Sequence, residues 1–251
     1  MVETMQYSSN KPVNLWVLND LHLGAKTCKK DQFRKTVEKI RKDKNAIVVL
    51  NGDLMEAIHS SDKRFDMDAI DKEYDTVEKQ YGGVKDLIEP IESKVIAVGI
   101  GNHERTIKKT SGIDLSRLLA EDLGVRYYGD ALLLKIHATN TNHRCLVIHG
   151  SSGATTLTGN INAIKKYAEH MDQTPDVVIM GHVHRLDVIH NPKLSDNFDV
   201  KVKYFAINGS FFGTYKQGEN NYGTQNFFPP TITGCIKFTF NKDKITYEIN
   251  H

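Results

Sequence analysis

The sequence predicts an α/β layered fold in one domain spanning residues 1–251, and three observations carry that expectation. Short apolar runs rich in β-branched residues alternate with longer stretches of helical period. Polar residues suited to catalysis follow several of those runs directly, as they do at the strand ends of layered α/β sheets. Finally, the chain closes in two segments of period-two alternation. Composition agrees: 39% hydrophobic and 25% charged residues make a globular profile. A chain of this length buries roughly three quarters of its extended surface, so it needs no disulfide or structural metal to stay folded.

Taken in order, the strand runs are 14–19, 46–50, 95–100, 132–136, 146–148, 177–180, 187–190 and 201–207. Each is too short for a buried helix. Helical periodicity covers 32–41, 68–88, 114–123 and 160–170. In the last of these Ile161, Ile164, Ala168 and Met171 share one face, with Thr158 and Gly159 at its start. Segments 232–240 and 244–249 read as a closing hairpin turning at 241–243. The first twelve residues are polar and hold no apolar run.

The charge balance is +2, with a pI of about 8.3, which neither marks nor excludes a nucleic-acid partner. Cys28, Cys145 and Cys235 are far apart and odd in number, which points to a reducing compartment, hence the cytoplasm (the host's, if the chain is phage-encoded). No apolar stretch approaches the roughly 18 residues of a membrane span, so no membrane partner is expected.

Five fragments occur in sequence: Asp20-Leu21-His22, Gly52-Asp53, Gly101-Asn102-His103-Glu104, His149-Gly150 and Gly181-His182-Val183-His184. The first, second and fourth are common by chance. Gly-His-x-His is expected about 0.04 times and Gly-Asn-His-Glu about 0.003 times in this composition. Carboxylate oxygens and imidazole nitrogens suit hard-to-borderline divalent ions, and no cysteine competes. Two divalent ions are therefore expected, Mn first, with Fe, Zn or Ni as alternatives. Two cations about 3.5–4 Å apart repel, and Asp53 has the chemistry to bridge them. Asp20 with His22, and His182 with His184, alternate as they would on extended segments whose side chains point the same way.

Together these motifs resemble the calcineurin-like metallophosphoesterase superfamily, in the branch ending in Gly-His-x-His, as SbcD-type nucleases do. The pattern runs from Asp20 to His184, about two thirds of the chain. The resemblance implies a four-layer α/β/β/α sandwich with a dinuclear metal site at strand C-terminal ends. By position, one ion takes Asp20, His22, Asp53 and His184, and the other takes Asp53, Asn102, His149 and His182. Asp53 and His103 are the catalytic residues so implied. A hydroxide bridging the ions attacks the phosphorus while His103 protonates the leaving oxygen. The protein-phosphatase branch shares Gly-Asn-His-Glu but not Gly52-Asp53-Leu54-Met55-Glu56-Ala57 or the paired histidines. Lipid A precursor hydrolases are similar in that second motif but carry Asn-Arg in place of Asn102-His103. The run His149-Gly-Ser-Ser-Gly, with Asn208-Gly-Ser later, is most similar to small phosphoesterases of phages and their hosts.

Other features bear on the substrate. Arg105, Lys108 and Lys109 follow the third motif and could receive a phosphate; their plain alternative is an exposed basic turn. Ser210 could reach the metal rim. Lys26, Lys29 and Lys30 read as a solvated helix start. The isolated histidines His59, His137, His143, His170, His190 and His251 fit no motif. Eight aromatics from Tyr204 to Phe228, several of them in a Gly/Asn-rich loop at 208–230, could stack bases. Otherwise they pack in the core, or make a subunit contact in a homodimer. The helical excursion at 54–94 either shapes the way in to the site or is a plain crossover. The function expected is dinuclear-metal hydrolysis of a phosphodiester in nucleic acid or a nucleotide. A phosphomonoesterase acting on nucleotides or phosphoproteins is the alternative, and a non-catalytic metal-bound scaffold the third reading.

Overall fold

The computed structural model describes residues 2–58, 62, 65–154, 156–215, 222–225, 227–242 and 244–251. His59, Asp243 and the side chain of Tyr222 lie outside them.

Alternation within each strand explains the layering. In β2 (Val13–Leu18) and β3 (Ala46–Asn51) every residue but Asn14 is buried, so both faces of the strand are covered. Val13, Leu15, Val17, Ile47 and Val49 face inward between two sheets, while Trp16, Leu18, Val48 and Leu50 face helices. β4 (Val95–Gly99) and β5 (Arg126–Gly129) extend that sheet in parallel, and β11 (Cys235–Asn241) and β12 (Lys244–Asn250) complete it antiparallel, in the order β12-β11-β2-β3-β4-β5.

The second sheet takes β1 (Val2–Ser9), β6 (Ala131–Ala138), β7 (Thr141–Ile148), β8 (Val177–Met180), β9 (Leu186–Leu194) and β10 (Val200–Asn208). Its order is β1-β6-β7-β8-β10-β9. Cys145, Val147, Val177 and Ile179 meet the first sheet, and their neighbours Leu146, Ile148, Val178 and Met180 meet a helix. Fully burying one such side chain contributes about 1.5–3 kcal/mol, so the inter-sheet layer and the larger layer between the first sheet and its helices are both major hydrophobic stabilisers.

Helices close the two outer faces. Phe33, Val37 and Ile40 of α1 (Lys30–Lys42) and Val84, Leu87 and Ile88 of α2 (Val77–Ile88) pack on the first sheet. Leu115, Leu119 and Ala120 of α4 (Leu115–Asp122) join them, while α3 (Asn102–Ser111) sits at the strand ends. Ile164 and Ala168 of α5 (Leu157–Glu169) cover the second sheet. A short α6 (Tyr222–Gln225) lies in the aromatic loop. The result is the expected α/β/β/α order.

Four local expectations differ. The polar N-terminus is an edge strand, β1, parallel to β6. Its exposed and half-buried residues alternate, with Met5 and Tyr7 turned to the core, too few apolar groups to register as a run. The expected helix over 68–88 begins only at Val77, because Asp66, Asp71 and Thr76 each accept a backbone N–H two or three residues on. Those caps cut the first part into 3₁₀ turns at Met67–Ala69 and Lys72–Tyr74. α5 starts earlier than its pattern, capped by Thr156 rather than entered at Thr158. The basic turn after the third motif is the ten-residue helix α3, whose one apolar side chain, Ile107, gave no periodic signal.

Candidate metal centre

The loops after β2, β3, β4, β7 and β8 bring all seven predicted ligands to one rim. The loop Asp20–Leu23 runs beside Asp53–Leu54, with Asp20 N–H donating to Gly52 O, His22 N–H to Asp53 O and Leu23 N–H to Leu54 O. Glycine is required where the second and third motifs meet. A Cβ on Gly52 would lie 2.2 Å from Gly101 N, and one on Gly101 would lie 2.0 Å from Asp53 Oδ1.

The backbone presents the ligands in a way that alternation did not anticipate. Asp20, His22, Asp53, His182 and His184 all have left-handed φ, between 50° and 70°. The Asp20/His22 and His182/His184 pairs therefore lie in turns, not extended segments, and converge because alternate residues are left-handed. Asp and His are tolerated there better than β-branched residues, though at some conformational cost.

Two donor groups result. Asp20 Oδ1 lies 3.2 Å from His184 Nε2 and 3.7 Å from His22 Nε2, and the two histidine nitrogens are 3.1 Å apart. In the second group Asp53 Oδ2 lies 3.3 Å from His149 Nε2, while Asn102 Oδ1 is 3.2 Å from His149 Nε2 and 2.7 Å from His182 Nδ1. Asp53 Oδ2 is also 3.9 Å from His22 Nε2, so it stands between the two groups, where a bridging carboxylate belongs.

The tautomers are set from behind. His149 Nδ1 meets Asn51 O at 2.8 Å and His22 Nδ1 meets Glu56 Oε2 at 2.8 Å, so each ring turns its Nε2 lone pair into the centre. Asn19 Nδ2 donates to Asp20 Oδ2, and Asn208 Nδ2 in turn donates to Asn19 Oδ1, which joins the β10 end to the first motif.

Divalent cations fit this donor set. Asp20 Oδ1 is fully buried and lacks a hydrogen bond of proper geometry. Convergent lone pairs of four imidazoles, two carboxylates and one amide oxygen offer oxygen and nitrogen without thiolate. Electrostatics in the protein alone are tense. Burial raises the Asp53 carboxyl, but the imidazoles of His149, His103 and His22 outweigh it and hold it low. Burial lowers the His149 imidazole, yet Asp53 beside it lifts it to about 9. Burial and the charge on His149 both push His182 down.

Residues 13–186 match the family model described as calcineurin-like phosphoesterase. The chain belongs to that family. No curated protein sequence matches it. Similar solved structures include an uncharacterised Streptococcus pneumoniae protein described as a predicted phosphoesterase, 13% identical, covering 95% of this chain and 90% of that one, with a TM-score of 0.39. Haemophilus influenzae NAD nucleotidase is 12% identical over 96% of this chain and 49% of its own, with a TM-score of 0.45. Pseudomonas putida nuclease MPE is 11% identical over 93% and 87%, with a TM-score of 0.41.

Within this family member the position of His103, the residue expected to be catalytic, and of its supports can be described. His103 is buried beside both groups, its N–H donating to Asp53 Oδ1 at 2.9 Å and its Nδ1 facing Glu56 O. Two carboxylates that sequence reasoning did not single out hold the rim. Glu56 orients His22, and Glu104, with no exposed surface, accepts backbone N–H groups of Asp53, Leu54, Met55 and Gly101. Its burial and the neighbouring Asp53 charge raise the Glu104 carboxyl.

A cleft of about 340 Å³ opens over the centre, lined by His22, Asp53, Asn102, His103, His182 and His184 among others. Arg105, Lys108 and Ser210 do not line it. Arg105 pairs with Asp130, Lys108 pairs with Asp114 at 2.8 Å, and Ser210 is fully buried against Phe212. The aromatic loop divides: Phe211 is core, Phe212 packs on His22 and His184 with centroids 5.1 and 5.4 Å away, and Phe228 lines the cleft.

Asp114 fixes the outer end of this arrangement. It caps α4 through Arg117 N–H and accepts from Lys108 and Tyr127. Burial raises its carboxyl, but those three bonds outweigh burial and lower it overall. A lowered carboxylate stabilises the fold above its unfolded pKa, and that contribution is lost as pH falls through the folded value. Asp114→Ala is expected to cost about 0.5–2 kcal/mol in urea unfolding at pH 7. The gap from wild type should close progressively below the ordinary carboxylate range; a gap constant with pH would show that the charge plays no part.

Proposed function

We propose that this family member hydrolyses a phosphodiester in nucleic acid or a nucleotide, with two divalent ions, Mn first, held by Asp20, His22, Asp53, Asn102, His149, His182 and His184. The observation that carries the reading is the union of the two donor groups with His103 at the floor of one open cleft. When bound, the ions supply positive charge to the phosphoryl oxygens and lower the pKa of water. The chain does the rest. Asp53 fixes the separation of the two groups, and His103, its Nδ1–H donating to the Glu56 carbonyl, carries the transferable proton on Nε2. In the imidazolium form that proton passes to the leaving oxygen.

The diester reading is supported by the walls. Ala25, Ile58 and Ala69 line the cleft from the loops of the first sheet, and Val183, Phe228 and Pro229 line it from the strand ends of the second sheet and the aromatic loop. A diester has an organic group on each side of its phosphorus to place against two apolar walls, and a monoester has one. With Mn supplied, bis-p-nitrophenyl phosphate is expected to turn over faster than p-nitrophenyl phosphate. The reverse order would favour a phosphomonoesterase, and metal bound without turnover of either ester would favour a scaffold.

A further inference from the structure

Three of the polar side chains that line the cleft outside the metal groups and the proton-transfer residues carry an inference of their own. Arg185 follows His184 directly and lines the cleft half-buried. Among the described residues its guanidinium has no ion pair or hydrogen bond, whereas that of Arg105 is paired with Asp130. Asn160, on the first turn of α5 facing the cleft, is 2% exposed, and its Oδ1 has no partner among the described residues. Thr231, on the segment between α6 and β11, lines the cleft too, with a buried Oγ1 that is likewise unpartnered among the described residues. An unsatisfied buried polar atom costs roughly 1–3 kcal/mol, so two in one cleft call for a ligand that satisfies them. Beside them stand Val183, Phe228 and Pro229, an apolar shelf.

A cation, an acceptor and a hydroxyl next to an apolar shelf match one chemistry. Guanidinium takes an anionic phosphate oxygen, the amide oxygen and hydroxyl take hydrogen bonds from the edge of a base or from a sugar, and the shelf takes a flat ring. The volume, about 340 Å³, is at the small end of ligand pockets and suits one nucleotide unit. We propose that Arg185, Asn160 and Thr231 form a nucleotide-recognition arc that selects a nucleoside phosphate as one arm of the substrate and holds the nucleotide product. This rests on the phosphodiesterase reading for its role in turnover, but binding by the arc does not depend on it. Sequence reasoning passed over Arg185 because the residue after Gly-His-x-His has no defined role in the motif, and over Asn160 because it looked like a helix residue.

The test compares wild type with Arg185→Ala, Arg185→Lys, Thr231→Val and Asn160→Leu, all with Mn present. Two readouts are used: the ratio of kcat/KM on thymidine 5′-(p-nitrophenyl phosphate) to that on bis-p-nitrophenyl phosphate, and the calorimetric Kd of thymidine 5′-monophosphate beside that of inorganic phosphate. Arg185→Ala should lower the ratio and weaken the nucleotide by about tenfold or more, chiefly through KM, with Arg185→Lys recovering only part. Asn160→Leu should raise the melting temperature, since it removes an unsatisfied atom, while weakening the nucleotide; a lower melting temperature would make Asn160 structural and overturn its place in the arc. Equal losses on both esters, or nucleotide binding no tighter than phosphate in wild type, would overturn the inference. Nucleotide binding sensitive to Arg185 in a protein that turns over neither ester would sink the phosphodiesterase reading and leave the arc standing. A single-stranded oligothymidylate that binds more tightly than the mononucleotide, and loses that binding with Arg185→Ala, would identify nucleic acid as the source of the nucleotide.

Discussion

Replacing His103 with glutamine is expected to slow cleavage of an unactivated diester, such as a dinucleotide, by about 10²–10⁴-fold. Bound metal, measured per chain, should stay at the wild-type value. Both expectations come from how the residue is held. Its backbone N–H donates to Asp53 Oδ1, a bond that glutamine keeps, while its ring packs edge-on against His22. Its side chain is fixed by the Glu56 carbonyl on one nitrogen, and the other carries the proton. Glutamine retains helical propensity in α3 and cannot carry that proton. On bis-p-nitrophenyl phosphate, whose leaving group departs as a stable anion, the same variant should lose much less. Equal losses on both esters would remove His103 from proton transfer and make it a packing residue.

Glu104→Ala should destabilise the protein more than any other substitution at the rim. The carboxylate accepts four buried backbone N–H groups, two on each oxygen: Asp53 and Gly101 on Oε2, Leu54 and Met55 on Oε1. Each donor left without a partner costs about 1–3 kcal/mol, so with some water entering a loss of roughly 3–5 kcal/mol is expected. For a chain of this size that is a fall of roughly 10–15 °C in melting temperature. Glutamine is not a neutral replacement, because its amide nitrogen would face two donors. Glu104→Gln should therefore fall between wild type and Glu104→Ala, and activity should fall with it as the Asp53 loop loosens from the Gly101 turn. A Glu104→Ala protein that melts within a degree or two of wild type would show that water satisfies those groups unaided.

Much of this architecture was legible in the sequence because it depends on local period. Val13, Leu15 and Val17 alternate with Trp16 and Leu18, and that pattern alone implies a strand covered on both faces. That the candidate ligands would meet at one rim was legible because His22, Asp53, Asn102, His149 and His182 each closely follow such a run. Features that depend on where distant backbone lies were not. Glu104 ends the Gly101-Asn102-His103-Glu104 motif, yet its role is to bond the loop 53–55, which no spacing rule reports. Arg185 is half-buried by a cleft that exists only once Phe228 and Pro229 have folded across it. Arg105 and Lys108 looked ready for phosphate until Asp130 and Asp114 were found on them. Short or weakly apolar elements such as β1 and α3 escaped for a simpler reason: tertiary contacts hold them, and their own composition hardly signals them.

The left-handed backbone at Asp20, His22, Asp53, His182 and His184 has a bearing on how such a centre persists. Each of the five costs about 1 kcal/mol relative to glycine in the same conformation. Selection for a sturdier fold alone would thus favour glycine at His182 and His184, whose side chains bond only within the proposed centre, and less so at Asp20 and Asp53, which also accept backbone N–H groups. At those two histidines activity is the force that opposes the drift, so this part of the rim behaves like a drawn bow kept taut by use. A lineage that stopped needing the reaction would be expected to shed these residues early and to become more heat-resistant as it did.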